Sequence, residues 1–478
     1  MFGKQGTFIL FAFTLISALI LPACFQHGMF MDGIQYAVVS ENLAEGKGSF
    51  WYPYLSSSWN KMGENAFLEH PPLSYALQAG FFKLLGEGFY VEKIYGLFMC
   101  FLCICFIYGI WKIFFKQQSA YSNYWWLAAA LWFITPSVCW SFKNNMIENT
   151  VSVFALASSF FCLKALCQDK NRLLFLILSG FCVFAGSLSK GIPALFPIAL
   201  VLCYHFSIQK ISLQKLLGYT LTLILIPAIL YAIIISTNEE AKNSLAFYLK
   251  SRLLERINSE HIVDNRFSVL WWLVTDEFVD LGVLLLMTLL FKWKSFKGQL
   301  NSDNKKILWF FFIYGLSGVV PLCSTHVQRA VYFIPALPFF SIALTVFLAG
   351  HLNELIKKLD DKVFRIFRTI VFIGAITVLI ITFLLAGTDS RDEEILHDVR
   401  MIGASIGKGR QISTDETTYL DWDFQFYLLR YYDDTLIGGY KNNEIFIIHR
   451  KSASDPIPEG FEELKLNLNK YRLFKKLN

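Results

Sequence analysis

The run TFILFAFTLISALILPAC, residues 7–24, is apolar at nearly every position and long enough to cross a bilayer with modest tilt. Runs of this kind recur through the first 387 residues. Hydrophobic residues make up 55% of the 478-residue chain and charged residues 17%, which excludes an ordinary soluble domain. Further candidate spans are 91–115, 123–140, 147–166, 171–188, 191–208, 214–236, 276–292, 306–323, 328–349 and 366–387. The composition therefore predicts a polytopic all-α membrane protein of about eleven transmembrane helices, or up to thirteen if marginal segments also cross. No cleavage pattern follows the first run, so it reads as an uncleaved helix. Cys100, Cys103 and Cys105 sit inside an apolar run and read as small core residues, not as a redox motif.

Lys and Arg give the orientation. With the N-terminus inside, the inner loops hold Lys112 and Lys116, then Lys164, Lys170 and Arg172, then Lys210 and Lys215. Lys292, Lys294, Lys297, Lys305 and Lys306 follow, and then Lys357, Lys358, Lys362 and Arg365. This is the positive-inside pattern, and an odd number of spans puts the C-terminus outside. The first outer (periplasmic) loop then covers residues 25–90. Within it, residues 72–86 are apolar but short, and Pro71 and Pro72 can start a helix but not sit deep in one. They predict an interfacial or re-entrant helix. Residues 237–270 place apolar groups at helical spacing among charges, which predicts an amphipathic segment on the outer face. The hydrophobic pattern stops after Gly387, so residues 1–387 read as a membrane domain and 388–478 as a small outer α/β domain. In that domain Glu394–Gly403 and Asp423–Tyr432 read as helices, and Arg410–Thr414 and Glu444–His449 as strands. About ninety residues bury only a modest core, so this domain is expected to lean on the membrane part.

Ionisable residues collect at the outer ends of the spans. Asp32 follows the first span almost directly. It reads either as a solvated helix start or as a poorly hydrated carboxylate suited to general-base work. Glu69 and His70 close the same loop in LEHPPL (68–73), where two such groups can hold a divalent metal or face a phosphate. Glu148 begins the fourth span, and Lys190 and Arg329 lie at outer span ends against the charge trend. The two cations can contact lipid head groups or grip a lipid-borne phosphate. Arg266, with Arg252, Arg256 and His261, lies on the amphipathic segment and can join them. Trp51, Tyr52, Tyr54 and Trp59 can stack on a sugar or anchor the loop.

Five of these stretches, in order over about residues 1–350, resemble the C-type, lipid-dependent glycosyltransferases, in particular the protein O-mannosyltransferase and lipid A aminoarabinose transferase superfamily. Asp32 with Tyr36 and Gly46 resembles the family's first-loop signature, and LEHPPL its loop-closing element, with His70 where Lys is common. Met146 to Phe154 resembles the segment with a second acid, Leu188-Ser-Lys190-Gly191 the hinge, and Arg329 to Pro338 the Arg-Tyr-x-x-Pro-x-x-Pro span start. The resemblance implies transfer of a sugar from a polyprenyl-phosphate donor to a lipid, glycan or protein acceptor at the outer face of a bacterial inner membrane. It implies Asp32 and Glu148 as catalytic groups, and Lys190, Arg329 and Arg266 on the donor phosphate. Tyr36, His70 and Tyr332 would contact substrate, and Glu69 with His261 would hold a divalent metal. No nucleic-acid partner is implied. A lipid-linked glycan flippase or an oligosaccharide ligase are the rival readings; a flippase favours a polar path through the membrane centre, not groups gathered at one end.

Overall fold

The computed structural model describes residues 3–59, 65–255, 257, 260–277, 282–283, 300–439, 444–450 and 459–477. In chain order the membrane part comprises α1 (Lys4–Phe25), α2 (Met31–Ala44), α3 (Leu73–Leu85), α4 (Val91–Phe115), α5 (Trp125–Ile134), α6 (Pro136–Lys143), α7 (Glu148–Cys167) and α8 (Arg172–Lys190). It continues through α9 (Leu200–Ser207), α10 (Leu213–Thr237), α11 (Glu239–Phe247), α12 (Ser268–Asp276), α13 (Ser302–Val319), α14 (Leu337–Lys358) and α15 (Asp361–Leu385). Among the described residues, eight helical segments are long and apolar enough to cross a membrane, or nine if the pair α5 and α6 counts as one. The chain is a multi-pass membrane protein.

Two predicted spans take other forms. The span at 123–140 is bent by 76° between α5 and α6. Pro136 is the first residue of α6, where its missing N–H costs nothing but its ring ends the preceding helix. The span at 191–208 is a 3-10 segment, Ile192–Ala199, leading into α9. Pro193 and Pro197 there remove two N–H donors from what would be one helix. The span at 276–292 lies almost wholly outside the described residues, as do Lys292, Lys294, Lys297 and Arg256.

The loop between α1 and α4 is ordered from below. Lys93 of α4 donates to the carbonyls of Ala23 (2.9 Å), Gly28 (3.3 Å) and Gln26. These carbonyls lie at and just beyond the C-terminal end of α1, where a helix leaves acceptors without donors. The amphipathic segment runs as α11 and then a π-helical stretch, Tyr248–Leu254. Tyr248 turns inward, and its Oη donates to the Lys190 carbonyl at 3.0 Å.

The C-terminal part holds α16 (Glu393–Ile406), β1 (Gln411–Thr414), α17 (Glu416–Tyr419), α18 (Trp422–Tyr432), β2 (Thr435–Gly438), β3 (Ile445–His449), β4 (Phe461–Glu463) and β5 (Tyr471–Lys476). The sheet order is β2-β1-β3-β5-β4. β1 pairs in parallel with β2 and β3, and β5 pairs antiparallel with β3 and β4. The two predicted helices and two predicted strands are present, and β2, β4 and β5 are additional.

One face of this sheet buries a small cluster of its own, Phe446, Ile448 and Phe474 with Phe461, and the larger core is shared with the membrane part. One buried cluster joins Val399, Ile412, Tyr427 and Leu473 of the C-terminal part to Ile34, Val39, Phe67 and Met146 of the membrane part. Burying those apolar groups together at about 25 cal/mol per Å² holds the sheet against the first loop. Arg430 of α18 locks the contact. It donates to both oxygens of Glu41 at 3.0 and 3.2 Å, to Glu92 at 3.0 Å and to the Gly88 carbonyl at 2.8 Å. Its side chain and that of Glu92 are each 1% exposed. Arg430→Ala leaves Glu92 buried without its cation, a cost of about 3–5 kcal/mol. The expected result is a clear drop in the thermal unfolding midpoint in detergent, and an unchanged midpoint would show that the lock contributes nothing.

Candidate active site

The start of α2 carries Asp32, and its position follows from the backbone around it. The Phe30 N–H donates to Asn144 Oδ1 at 2.7 Å, and Asn145 Nδ2 donates to the Gly33 carbonyl at 2.9 Å. Gln78 of α3 donates to Asn145 Oδ1 at 2.6 Å. From the C-terminal side, the Met29 N–H donates to the Tyr427 hydroxyl at 3.0 Å. The turn Asn144-Asn145 therefore ties α2 and α3 to the N-terminus of α7, where Glu148 lies. Gly33 makes that approach possible: a Cβ there would lie 1.9 Å from the Asn144 carbonyl oxygen. Gly33→Ala must push α2 away from α7, at a cost of about 1–3 kcal/mol from overpacking. A lower unfolding midpoint together with lost activity is expected, and a fully active, equally stable Gly33→Ala protein would contradict the packing.

Gly191 plays the same part at the end of α8. Its φ is +92°, and a Cβ would meet the Tyr248 hydroxyl at 2.0 Å. The left-handed backbone ends α8 at Lys190 and lets the π-helical stretch close over it.

These elements enclose a polar cavity of about 210 Å³. Of the residues picked out from sequence, Asp32, Tyr36, Glu69, His70, Glu148, Lys190, Arg329 and Tyr332 line it. Three acids, Asp32, Glu69 and Glu148, and three cations, Lys190, Arg252 and Arg329, face it, and they are not equivalent. Glu69 pairs with Arg252 at 2.9 Å. Glu148 pairs with Lys190, and their side chains are 0% and 6% exposed. The Lys190 ammonium also lies 4.8 Å from the centroid of the Tyr332 ring. The side chains of Asp32 and Arg329 have no ion-paired or hydrogen-bonded partner among the described residues. The cavity thus presents one uncommitted carboxylate and one uncommitted guanidinium. Burial pushes the Asp32 carboxyl above the ordinary range; Arg329 opposes this, and Glu148 and Glu69 add to it.

A second cavity, of about 720 Å³, adjoins the first. It shares Glu69, His70, Lys190, Arg252 and Tyr332 with it, and its remaining wall is mostly apolar, including Ile192, Leu195, Phe196, Leu202 and Leu253. The charged groups at the junction therefore face both a polar chamber and a greasy one.

Arg266 and His261 line neither cavity. Arg266 donates to His326 Nε2 at 3.0 Å, and His326 Nδ1 donates in turn to the Val263 carbonyl at 2.8 Å. The His261 ring lies 4.9 Å from that of His326. The structure therefore does not bring Arg266 to the other cations. Arg252, one π-turn from Tyr248, lines both cavities instead. A metal on Glu69 and His261 finds no support either: Glu69 is held by Arg252, and no group of three or more His, Cys, Asp or Glu side chains converges among the described residues. All ten cysteines are unpaired, so no disulfide shapes the site.

Trp422 and Phe426, from α18 of the C-terminal part, also line the polar cavity. The sequence marks Asp423–Tyr432 as a helix but does not tell where its aromatic residues point.

The family model for dolichyl-phosphate-mannose-protein mannosyltransferases matches residues 69–236. No curated protein matches the chain by sequence. Among solved structures, ArnT from Cupriavidus metallidurans bound to undecaprenyl phosphate superposes with a TM-score of 0.71 at 12% identity, over 99% of this chain and 98% of that one. The same protein in the apo state gives 0.67 at 12% identity, over 98% and 97%. An oligosaccharyltransferase from Archaeoglobus fulgidus, in complex with zinc and sulfate, gives 0.49 at 13% identity over 92% of this chain and 68% of that one. Residues 69–236 thus match the dolichyl-phosphate-mannose-protein mannosyltransferase model, and the chain has the fold of ArnT along its whole length.

Proposed function

We propose that this protein transfers a sugar from a polyprenyl-phosphate carrier to an acceptor hydroxyl or amine at the outer face of a bacterial inner membrane. The observation that carries this reading is the junction of the two cavities. An apolar chamber of about 720 Å³ suits an isoprenoid chain, and it opens onto a polar one of about 210 Å³ suited to a phosphate and a sugar. Undecaprenyl phosphate, bound by the ArnT of matching fold, has both halves.

In this reading the carrier phosphate sits at the junction, where Lys190 faces both cavities, and Arg329 reaches it from the polar side; together they neutralise it as it leaves. Asp32 takes the proton from the acceptor. The acceptor atom bonds to the anomeric carbon, the carbon–oxygen bond to phosphate breaks, and its electron pair departs on the carrier phosphate. Burial of Asp32 makes it a stronger base than an ordinary carboxylate. Glu148 acts mainly by holding Lys190, while its second oxygen has no hydrogen-bond partner among the described residues. Tyr36, His70 and Tyr332 contact the substrate, and Glu69 fixes Arg252. Residues 1–387 form the membrane domain and 388–478 an outer domain, with the N-terminus cytoplasmic and the C-terminus periplasmic.

The test uses purified protein in liposomes with undecaprenyl-phosphate-linked mannose, glucose and 4-amino-4-deoxyarabinose, and with envelope lipid, glycan and protein as acceptors. Label moving from carrier to acceptor supports the proposal and identifies the acceptor. Label crossing the bilayer while still on its carrier would support a flippase instead.

A further inference from the structure

The aromatic side of the polar cavity has no part in the chemistry described so far, and it comes largely from the C-terminal domain. Trp422 and Phe426 are four residues apart on α18, so they share one face. Their rings stack at 5.9 Å with an interplanar angle of 21°. Trp59 of the first loop meets Trp422 edge-on at 6.0 Å. From Trp59 the aromatic contacts continue through Phe67 at 5.9 Å to Tyr36 at 6.3 Å, one helical turn beyond Asp32. The wall therefore runs from the C-terminal domain to the neighbourhood of the uncommitted carboxylate.

This wall is held on three sides. Tyr427, next to Phe426, is bonded to the Met29 backbone; Arg430 is locked between Glu41 and Glu92; and Tyr419 Oη donates to the Ser58 carbonyl at 3.1 Å, beside Trp59. A rigid aromatic surface costs little entropy when a ligand settles on it. Trp59, Trp422 and Phe426 line the polar cavity and not the apolar one. An isoprenoid chain would take the apolar chamber, and the phosphate the cations at the junction. What remains to meet the wall is a sugar ring, whose C–H faces pack on aromatic faces while its hydroxyls turn to polar groups.

We propose that Trp422, backed by the buried Phe426 and Trp59, forms the surface on which the transferred sugar ring of the donor stacks, so that the C-terminal domain supplies part of the donor subsite. The inference rests on the transferase reading above.

Trp422→Leu keeps apolar bulk but removes the ring, and Trp422→Phe keeps a ring. Trp422→Leu is expected to raise the donor KM about tenfold, equivalent to about 1.4 kcal/mol. Trp422→Phe should recover most of that loss, and the acceptor KM should not move. Binding of undecaprenyl phosphate without a sugar should be the same in all three proteins. Three results would overturn the inference: equal KM values for the Leu and Phe variants, an equal loss of affinity for the sugar-free carrier, or an effect confined to the acceptor KM. If Trp422→Leu does not fold, Trp59→Leu carries the same expectation. Wild-type protein that turns over none of the three sugar carriers counts against the transferase reading itself; wild-type turnover with an unaffected Trp422→Leu counts against the stacking wall alone.

Discussion

Asp32→Asn is expected to lower kcat by about 10²–10⁴-fold, the usual contribution of a positioned general base, while the protein inserts and folds normally. The substitution keeps the shape of the side chain and breaks no hydrogen bond or ion pair among the described residues. It removes only the capacity to accept a proton. The wild-type pH profile should carry the same signature. The proposed base would work deprotonated, so activity should fall as pH drops through its pKa, and burial sets that limb above the ordinary carboxylate range. The stability linkage has the opposite sign. A raised folded-state pKa means that the folded protein binds the proton more tightly than the unfolded chain does. Its stabilising effect is complete below the unfolded pKa and is lost as pH rises through the folded one. At neutral pH the Asn variant should therefore be at least as stable as wild type, a trade of stability for function. Full activity in a folded Asp32→Asn protein would remove the role assigned to it.

The second large effect concerns Glu148 and Lys190. Each is almost fully buried, and each is the other's countercharge. Glu148→Ala or Lys190→Ala alone leaves an uncompensated buried charge, at a cost of about 3–5 kcal/mol. Both single variants should unfold at markedly lower temperature. The double variant removes both charges and should regain much of that stability. Activity should not return with it, because the cation proposed to face the carrier phosphate is gone. This contrast separates the structural from the chemical role of the pair. A double variant as unstable as the sum of its parents would mean that the pair is not coupled as the geometry shows.

Much of the architecture was legible because a bilayer imposes a simple rule on composition. Uninterrupted runs such as Val91–Phe115 appear in the structure with the boundaries their hydropathy gives. The rule is blind to breaks inside a run. Pro136 and the pair Pro193 and Pro197 sit in stretches apolar enough to cross, and only the backbone shows the bend and the 3-10 segment there. In the C-terminal part, β3 was legible from Ile-Phe-Ile-Ile, buried on both faces. β4 and β5 alternate too little, and β2 is too short, to stand out from loop.

Within the site, charged residues at span ends were conspicuous because the surrounding sequence is so apolar. Asp32, Glu148, Lys190 and Arg329 do meet in one cavity. Arg252 and Arg266 looked alike in sequence, since both lie on the amphipathic segment. The π-helical stretch turns Arg252 inward to Glu69, while Arg266, beyond it, lies against His326. Which of them reaches the site depends on that local winding, which no periodicity encodes. Trp422 and Phe426 were hidden for another reason. An aromatic face on a helix reads as core, and only docking of the sheet against the first loop turns part of that face into a cavity wall.

A single-turnover measurement in lipid nanodiscs tests the central claim most directly. Purified protein and its Asp32→Asn variant are mixed with undecaprenyl-phosphate-linked sugars labelled in the sugar, with envelope extract as acceptor. Release of undecaprenyl phosphate and transfer of label by the wild type, with the carrier intact beside the variant, is the predicted result. An intact carrier with folded wild-type protein, or equal release by both proteins, would contradict the account.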